Sequence, residues 1–189
     1  MLLNILRAFG ELGDGFLHIG KNVSREQQVT IRKAFKRDLP SVAEVAKKAF
    51  SGKPDSYWAV VGFKRAQRVY VAEVGEKLIG VIEIEVIRLR NGRHGHIGYI
   101  FVDPAFQGRG IGKKLVKKAE EFFFSKNAIA SWALTDEDNI VARKMFRSLD
   151  YQELDVEDVI RELGEEDAEK LLRRMIYWTG DIILRKKLV

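Results

Sequence analysis

Apolar residues recur along this chain with two alternating periods, and the switches between them outline its elements. Residues 2–16 set Leu2, Ile5, Leu6, Phe9, Leu12 and Phe16 at helical spacing, which predicts a short amphipathic helix ahead of a polar stretch. From Val29, VTIRKAF alternates as a strand, and Val42, Val45, Ala49 and Phe50 then return to helical spacing. Asp38, just before Leu39-Pro40, is placed to cap that helix, and Gly52-Lys53-Pro54 ends it. A second helical piece is expected around residues 57–63. Three strands follow: RVYVAEV, KLIGVIEIEVI and HIGYIFV.

Asn91-Gly92 suits a tight hairpin between the last two of these. With those two residues as the loop, Arg90 faces Arg93, and Ile82, Ile84 and Val86 share a face with Phe101, Tyr99 and Ile97. The opposite face then sets Glu85 across from Gly98. Beyond Pro104, GIGKKLVKKAEEFFF reads as a helix with Ile111, Leu115, Ala119 and Phe122 inward. IASWALT is a buried strand that takes Trp132 into the core. NIVARKMFRSL is a helix with Val141, Met145 and Leu149 on one stripe. Residues 151–156 and 175–186 read as closing strands. The period changes therefore predict an α/β (α+β) chain, with a leader over 1–28, one domain over 29–189 and a helical insert at 153–169.

Composition narrows the chemistry. The 189 residues include no cysteine, which removes disulfides, Cys-ligated metal and any cysteine-acyl intermediate. It fits a reducing, cytoplasmic setting. No apolar run is long enough to span a bilayer, and the charges in the first sixteen residues argue against a signal peptide. The net charge of +6 divides unevenly: residues 153–169 carry nine acids and one arginine, whereas the rest of the chain is at +14. A basic body attracts polyanions and an acidic rim attracts cations. His94 and His96 share a strand face, but with no third ligand in view no metal is expected.

The informative string is Val102-Asp103-Pro104-Ala105-Phe106-Gln107-Gly108-Arg109-Gly110-Ile111-Gly112-Lys113. A strand ends, a proline turns the chain, and a glycine-rich segment opens a helix. Glycines let an anion approach the backbone closely, and the helix dipole favours negative charge at that place. Arg109, Lys113 and Lys114 supply cations beside it. The string is neither a Walker A loop nor a Gly-x-Gly-x-x-Gly fingerprint.

Gln107-Gly108-Arg109-Gly110-Ile111-Gly112 resembles the signature of the GNAT superfamily of acetyl-CoA-dependent N-acetyltransferases. Asn139, Ala142 and Phe146, followed by Leu149-Asp150-Tyr151, resemble that family's second motif. The resemblance spans roughly residues 29–151, with a closing strand near 176–185. It implies a mixed, mostly antiparallel twisted sheet flanked by helices, in which residues 97–102 splay from the next strand. Acetyl-CoA would lie in the gap as co-substrate, with Ile100, Phe101 and Val102 offering backbone to its pantetheine arm. Gln107, Gly108, Arg109, Gly110, Ile111, Gly112 and Lys113 would hold the pyrophosphate, and Asn139 would contact the cofactor. The reaction implied is direct attack of a primary amine on the thioester.

Two positions depart from the pattern. Phe146 stands where the family carries its acidic tyrosine, so Tyr151 or Tyr99 is the expected hydroxyl. Gly98 and Tyr99 stand where a basic carboxylate is usual, and Glu85, facing Gly98, is expected to supply it. His96 is a second option as proton acceptor. The function expected is N-acetylation of an amine on a small molecule, peptide N-terminus or lysine. An acyl-CoA-binding module without activity is the alternative. No nucleic-acid partner is expected, and a homodimer is compatible with the leader helix.

Overall fold

The computed structural model describes residues 28–188, so the leader helix expected at 2–16 lies outside the described residues. Seven strands and six helices follow in order. These are β1 (Val29–Lys33), α1 (Leu39–Ala49), α2 (Asp55–Arg65), β2 (Arg68–Val74), β3 (Lys77–Leu89), β4 (Gly92–Val102) and α3 (Ile111–Ser125). Then come β5 (Ala128–Asp136), α4 (Ile140–Arg147), β6 (Gln152–Leu154), α5 (Val156–Leu163), α6 (Glu165–Met175) and β7 (Asp181–Lys187). The strands form one sheet in the order β1-β2-β3-β4-β5-β7-β6. Only β4 and β5 run parallel, because α3 carries the chain back along the sheet between them. The α/β, mostly antiparallel architecture is the one the sequence implies.

One face of the sheet packs on α3 and α4. Ile82, Ile84 and Ile97 meet Ile111, Leu115, Ala119, Phe123 and Phe146 there. The other face carries two separate apolar clusters. One joins α1 to Val71, Val81 and Phe101, and the other joins α5 and α6 to Ile87, Leu89, Trp132 and Ile183. Along β3 the residues on this second face are Val81, Glu83, Glu85 and Ile87. A polar strip therefore separates the two clusters.

The β3–β4 register differs from the one expected. Leu89 faces Gly92, so Arg90-Asn91 form the loop, and Glu85 faces His96 rather than Gly98. Between Ile84↔Ile97 and Ile82↔Ile100 the register slips by one residue on β4. Gly98 and Tyr99 together oppose Glu83, which is a β-bulge. The bulge inverts the alternation, so Ile97 and Ile100 share the α3 face while Tyr99 and Phe101 turn to α1.

Other local differences have equally simple causes. Asp38 does not cap α1. Its carboxylate instead accepts from the Phe35 amide at 2.7 Å and pairs with Arg32. The buried stripe of α4 is Ala142, Met145 and Phe146, whereas Val141 is exposed. The closing strand begins at Asp181, because α6 continues to Met175 and stops where Ile176 takes a left-handed conformation (φ 62°). The acidic segment is a short strand plus two helices, and four of its acids, Glu153, Glu162, Glu166 and Asp167, pair with the basic body. Asp167 accepts from the Arg90 amide and Nε at 3.0 and 3.2 Å, Glu153 binds Arg143 at 2.8 Å, and Glu162 binds Arg185.

Tight packing under β4 gives a first prediction. A Cβ on Gly95 would lie 2.3 Å from the buried Phe123 ring, whereas one on Gly98 would meet nothing closer than 3.7 Å. Gly95→Ala is expected to lose about 1–3 kcal/mol in urea unfolding, as overpacked cores do, and Gly98→Ala to lose much less. Equal losses at the two positions would contradict this packing.

Candidate active site

Pairing between β4 and β5 stops at Ile97↔Ala133, and the bulge begins at the next residue. Beyond it β4 follows β3 and leaves β5, opening a fork between residues 98–102 and 134–136. Asp103 N–H donates to Ile79 O at 2.8 Å. Strand alternation then aims Phe101 N–H and C=O at β3, and those of Ile100 and Val102 into the fork. The Val102 carbonyl already accepts from Gln107 Nε2 at 3.0 Å. The fork-facing backbone is thus that of Ile100 with the Val102 amide. Phe101, expected to share this task, serves β3 and the α1-side core.

The fork leads to the start of α3. Gly108 and Gly110 both have φ +74°, and a Cβ on either would meet nothing within 4 Å, so the loop is open and folds as glycine allows. The first intrahelical bond runs from Lys114 N–H to Gly110 O, and no side chain caps the helix. The amides of Ile111, Gly112 and Lys113 have no partner within α3, as at any helix start. Arg109 is tethered beside them, its Nη2 donating to Ala105 O at 3.2 Å and its guanidinium 5.1 Å from the centre of the Phe106 ring. Lys113 and Lys114 are exposed. These groups fit a diphosphate: amides, cations and a backbone that an anion can reach.

Three residues expected to touch the cofactor also have structural roles. Gln107 ties the loop to the end of β4. Gly112 lets α3 approach α4, since a Cβ there would lie 2.7 Å from Met145 Sδ. Asn139 caps α4, its Oδ1 accepting from Ala142 N–H at 3.1 Å.

The polar strip on the second face meets the fork at Gly98. His96 Cε1 lies 3.9 Å from where a Gly98 Cβ would be, so the missing side chain leaves the imidazole beside the opening. Glu85 Oε1 accepts from His96 Nδ1 at 3.1 Å. That bond puts the proton on Nδ1 and leaves the Nε2 lone pair available. Burial alone would raise the Glu85 pKa, but hydrogen bonds from His96 and Arg174 prevail and hold it below the usual carboxylate range. His94 is committed elsewhere: its Nδ1 accepts from Trp132 Nε1 at 2.9 Å and its Nε2 donates to Asn91 Oδ1 at 2.8 Å. Burial lowers its pKa.

The two tyrosines differ sharply. Tyr151 lies on the α3 face, donates to Ser131 Oγ at 2.7 Å, and is pushed well above its ordinary pKa by burial. The sheet separates it from the strip, and Phe146 beside it is core. Tyr99 is half-buried at the fork against Phe50, and its pKa is pushed up to about 12 by burial with Asp55, Glu83 and Asp136 nearby.

A glycine-rich helix start, a parallel pair that splays and a polar strip at its apex together invite comparison with known acyltransferases. A family model described as "Acetyltransferase (GNAT) family" matches residues 31–151. The chain belongs to the GNAT acetyltransferase family. Enzymes of this family move an acetyl group from acetyl-CoA to an amine.

Among similar proteins, an uncharacterized N-acetyltransferase of Methanocaldococcus jannaschii is 29% identical over 140 residues, covering 67% of this chain and 62% of that protein. The N-alpha-acetyltransferase RimI of Mycobacterium tuberculosis is 29% identical over 131 residues, covering 67% of this chain and 80% of its own. Among solved structures, the PaiA N-acetyltransferase of Thermoplasma acidophilum, in complex with coenzyme A, superposes with a TM-score of 0.64. The two are 19% identical, with 85% of this chain and 99% of that one covered. No helix among the described residues is long and apolar enough to cross a membrane.

Sequence reasoning did not single out Glu83. It is 3% exposed on the second face of β3, against α2 at Gly62, and its Oε1 has no hydrogen-bond partner among the described residues. Burial raises its pKa to about 9. A carboxyl with a folded pKa above its unfolded value of 4.5 binds more protons folded than unfolded. Its contribution is full below about pH 4.5 and is lost as pH rises through about 9. Glu83→Gln mimics the protonated form, so the GNAT domain should then lose less stability between pH 5.5 and 8.5. The gain at pH 8.5 should be about 1–3 kcal/mol in urea unfolding. Parallel pH curves for the two proteins would contradict a neutral buried Glu83.

Proposed function

We propose that this GNAT domain transfers the acetyl group of acetyl-CoA directly to a primary amine, with His96 as the base, and that it works in the cytoplasm. The observation that carries the proposal is the Glu85–His96 pair beside the vacant Gly98, at the apex of the β4–β5 fork. The donor enters the fork along Ile100 and Val102, its diphosphate against residues 108–113. The acceptor approaches from the second face, past the polar strip.

In the step itself a C–N bond forms at the thioester carbon and the C–S bond breaks. The amine proton goes to His96 Nε2, and the electron pair of the C–S bond leaves with the thiolate. A thiol titrates near pH 8.5, so the thiolate is a fair leaving group without a dedicated acid. That agrees with Phe146 in place of the family's tyrosine. Glu85, expected from the sequence to be the base, instead orients it: its carboxylate is ionised but both oxygens are engaged.

An imidazole base suits an amine that is partly neutral near pH 7. An α-amine titrates at about 7.7–8.0 and a lysine at about 10.4, so a peptide N-terminus is the better matched acceptor. The similarity to an N-alpha-acetyltransferase supports the same choice.

Mass spectrometry of short peptides and diamines incubated with acetyl-CoA and the full chain tests this reading. Acetylated product is expected, N-terminal amines ahead of lysines. His96→Gln should lower kcat/KM by about 10²- to 10³-fold, the scale of a lost general base, with KM for acetyl-CoA unchanged. Acetyl-CoA binding without any product would make the chain a binding module, and full activity in His96→Gln would remove the base assigned here.

A further inference from the structure

Glu85 is held more firmly than a contact to His96 requires. Arg174, in the last turn of α6, donates from Nε to Glu85 Oε1 and Oε2 at 3.1 and 3.0 Å, and from Nη2 to Oε2 at 2.5 Å. This side-on arrangement fixes the plane of the carboxylate, which a single bond from His96 cannot do. The two residues are 89 positions apart in sequence. The core of α6 is made by Ala168, Leu171 and Met175, and the Arg174 side chain is largely exposed. Its guanidinium is thus not needed to hold the helix down.

We propose that Arg174 is a positioning residue for acetyl transfer: it clamps Glu85 so that His96 keeps Nε2 directed at the acceptor amine. This inference rests on His96 being the base. Arg174 does two things in this arrangement. It removes the rotational freedom of Glu85, and so of the imidazole. It also balances the Glu85 charge, so that the carboxylate does not trap His96 as a stable imidazolium once the proton has been taken. The connection between β6 and β7, which carries the acidic segment, thereby becomes part of the active site.

The charged and titratable groups around His96 are Glu85 and Glu83 from β3, Arg174 from α6, and His94 and Tyr99 from β4 itself. β5 brings Trp132, which does not titrate, across from it. Of these, only Arg174 and Glu85 form a chain of direct bonds to the imidazole. Neutralising Arg174 leaves Glu85 uncompensated and favours the protonated imidazole, so the acid limb of the pH–rate profile moves to higher pH. Neutralising Glu85 removes that attraction and moves the limb the other way.

The test compares Arg174→Gln, Arg174→Lys, Glu85→Gln and the double variant Glu85→Gln/Arg174→Gln in the full chain, using acetyl-CoA and the best peptide acceptor. Arg174→Gln should lower kcat about ten- to thirtyfold, the scale of a lost charged hydrogen bond, with KM for acetyl-CoA unchanged. Its acid limb should rise, and Arg174→Lys should recover part of the rate. The double variant should be no slower than Glu85→Gln alone, since Arg174 acts only through Glu85. An unmoved acid limb, or losses that multiply in the double variant, would overturn the inference. If His96→Gln is inactive and Arg174→Gln is normal, only this inference fails; if His96→Gln is active, the base assignment fails with it.

Discussion

Backbone amides and carbonyls must find partners, and a strand between two neighbours ordinarily satisfies both sides at once. β4 cannot do so along its whole length. An extra residue at Gly98–Tyr99 keeps it in step with β3 but turns it away from β5, and the pairing with β5 ends at Ile97. From there the outward backbone of Ile100 and Val102 has no strand to bond. This mismatch opens the gap proposed for the donor and ends it at a glycine. It also brings Tyr99 round to the α1 face of the sheet. The glycine-rich start of α3 follows directly, because the same strand delivers the chain to it.

The second face shows why a polar strip is stable there. Two helical layers cover the sheet, α1–α2 at one end and α5–α6 at the other, and they reach the middle of β3 where Gly62 of α2 lies against Glu83 and Arg174 of α6 bonds Glu85. Unpaired carboxylates in such a place are expensive. Glu85 avoids that cost by pairing with His96 and Arg174, whereas Glu83 is held close to neutral by burial. One strand therefore carries two carboxyls of opposite tendency, two residues apart. The environment decides which of them accepts a hydrogen bond from His96 as a carboxylate and which behaves as a buried acid.

Much of this was legible in the residues. The order of elements, the α3 core stripe, the buried Trp132 and the glycine-rich cradle all follow from periodicity and turn chemistry. The hairpin register did not, because Asn91-Gly92 is a strong turn signal and the loop closed one residue earlier. That change of loop alone moves Glu85 from Gly98 to His96, and the bulge beyond Ile84 then alters the count for Tyr99 and Ile100. A trace of the bulge was present: Ile97, Ile100 and Val102 cannot share one face of a regular strand, yet all three are apolar and precede a motif. The Glu85–Arg174 bond had no such trace, since it joins elements 89 residues apart and depends on where two helices happen to pack. The acidic segment was conspicuous in sequence as a charged rim, but Glu153, Glu162, Glu166 and Asp167 are engaged with arginines of the body.

In the proposed arrangement the fork holds the donor with its thioester beside Gly98, within reach of His96 from the second face. A crystal structure of the protein with coenzyme A or acetyl-CoA tests it most directly. The diphosphate is expected on the amides of residues 111–113, the pantetheine arm along Ile100 and Val102, and the sulfur at the apex with His96 Nε2 facing it. A cofactor bound outside the fork, or a sulfur on the α3 side with the sheet between it and His96, would rule this arrangement out.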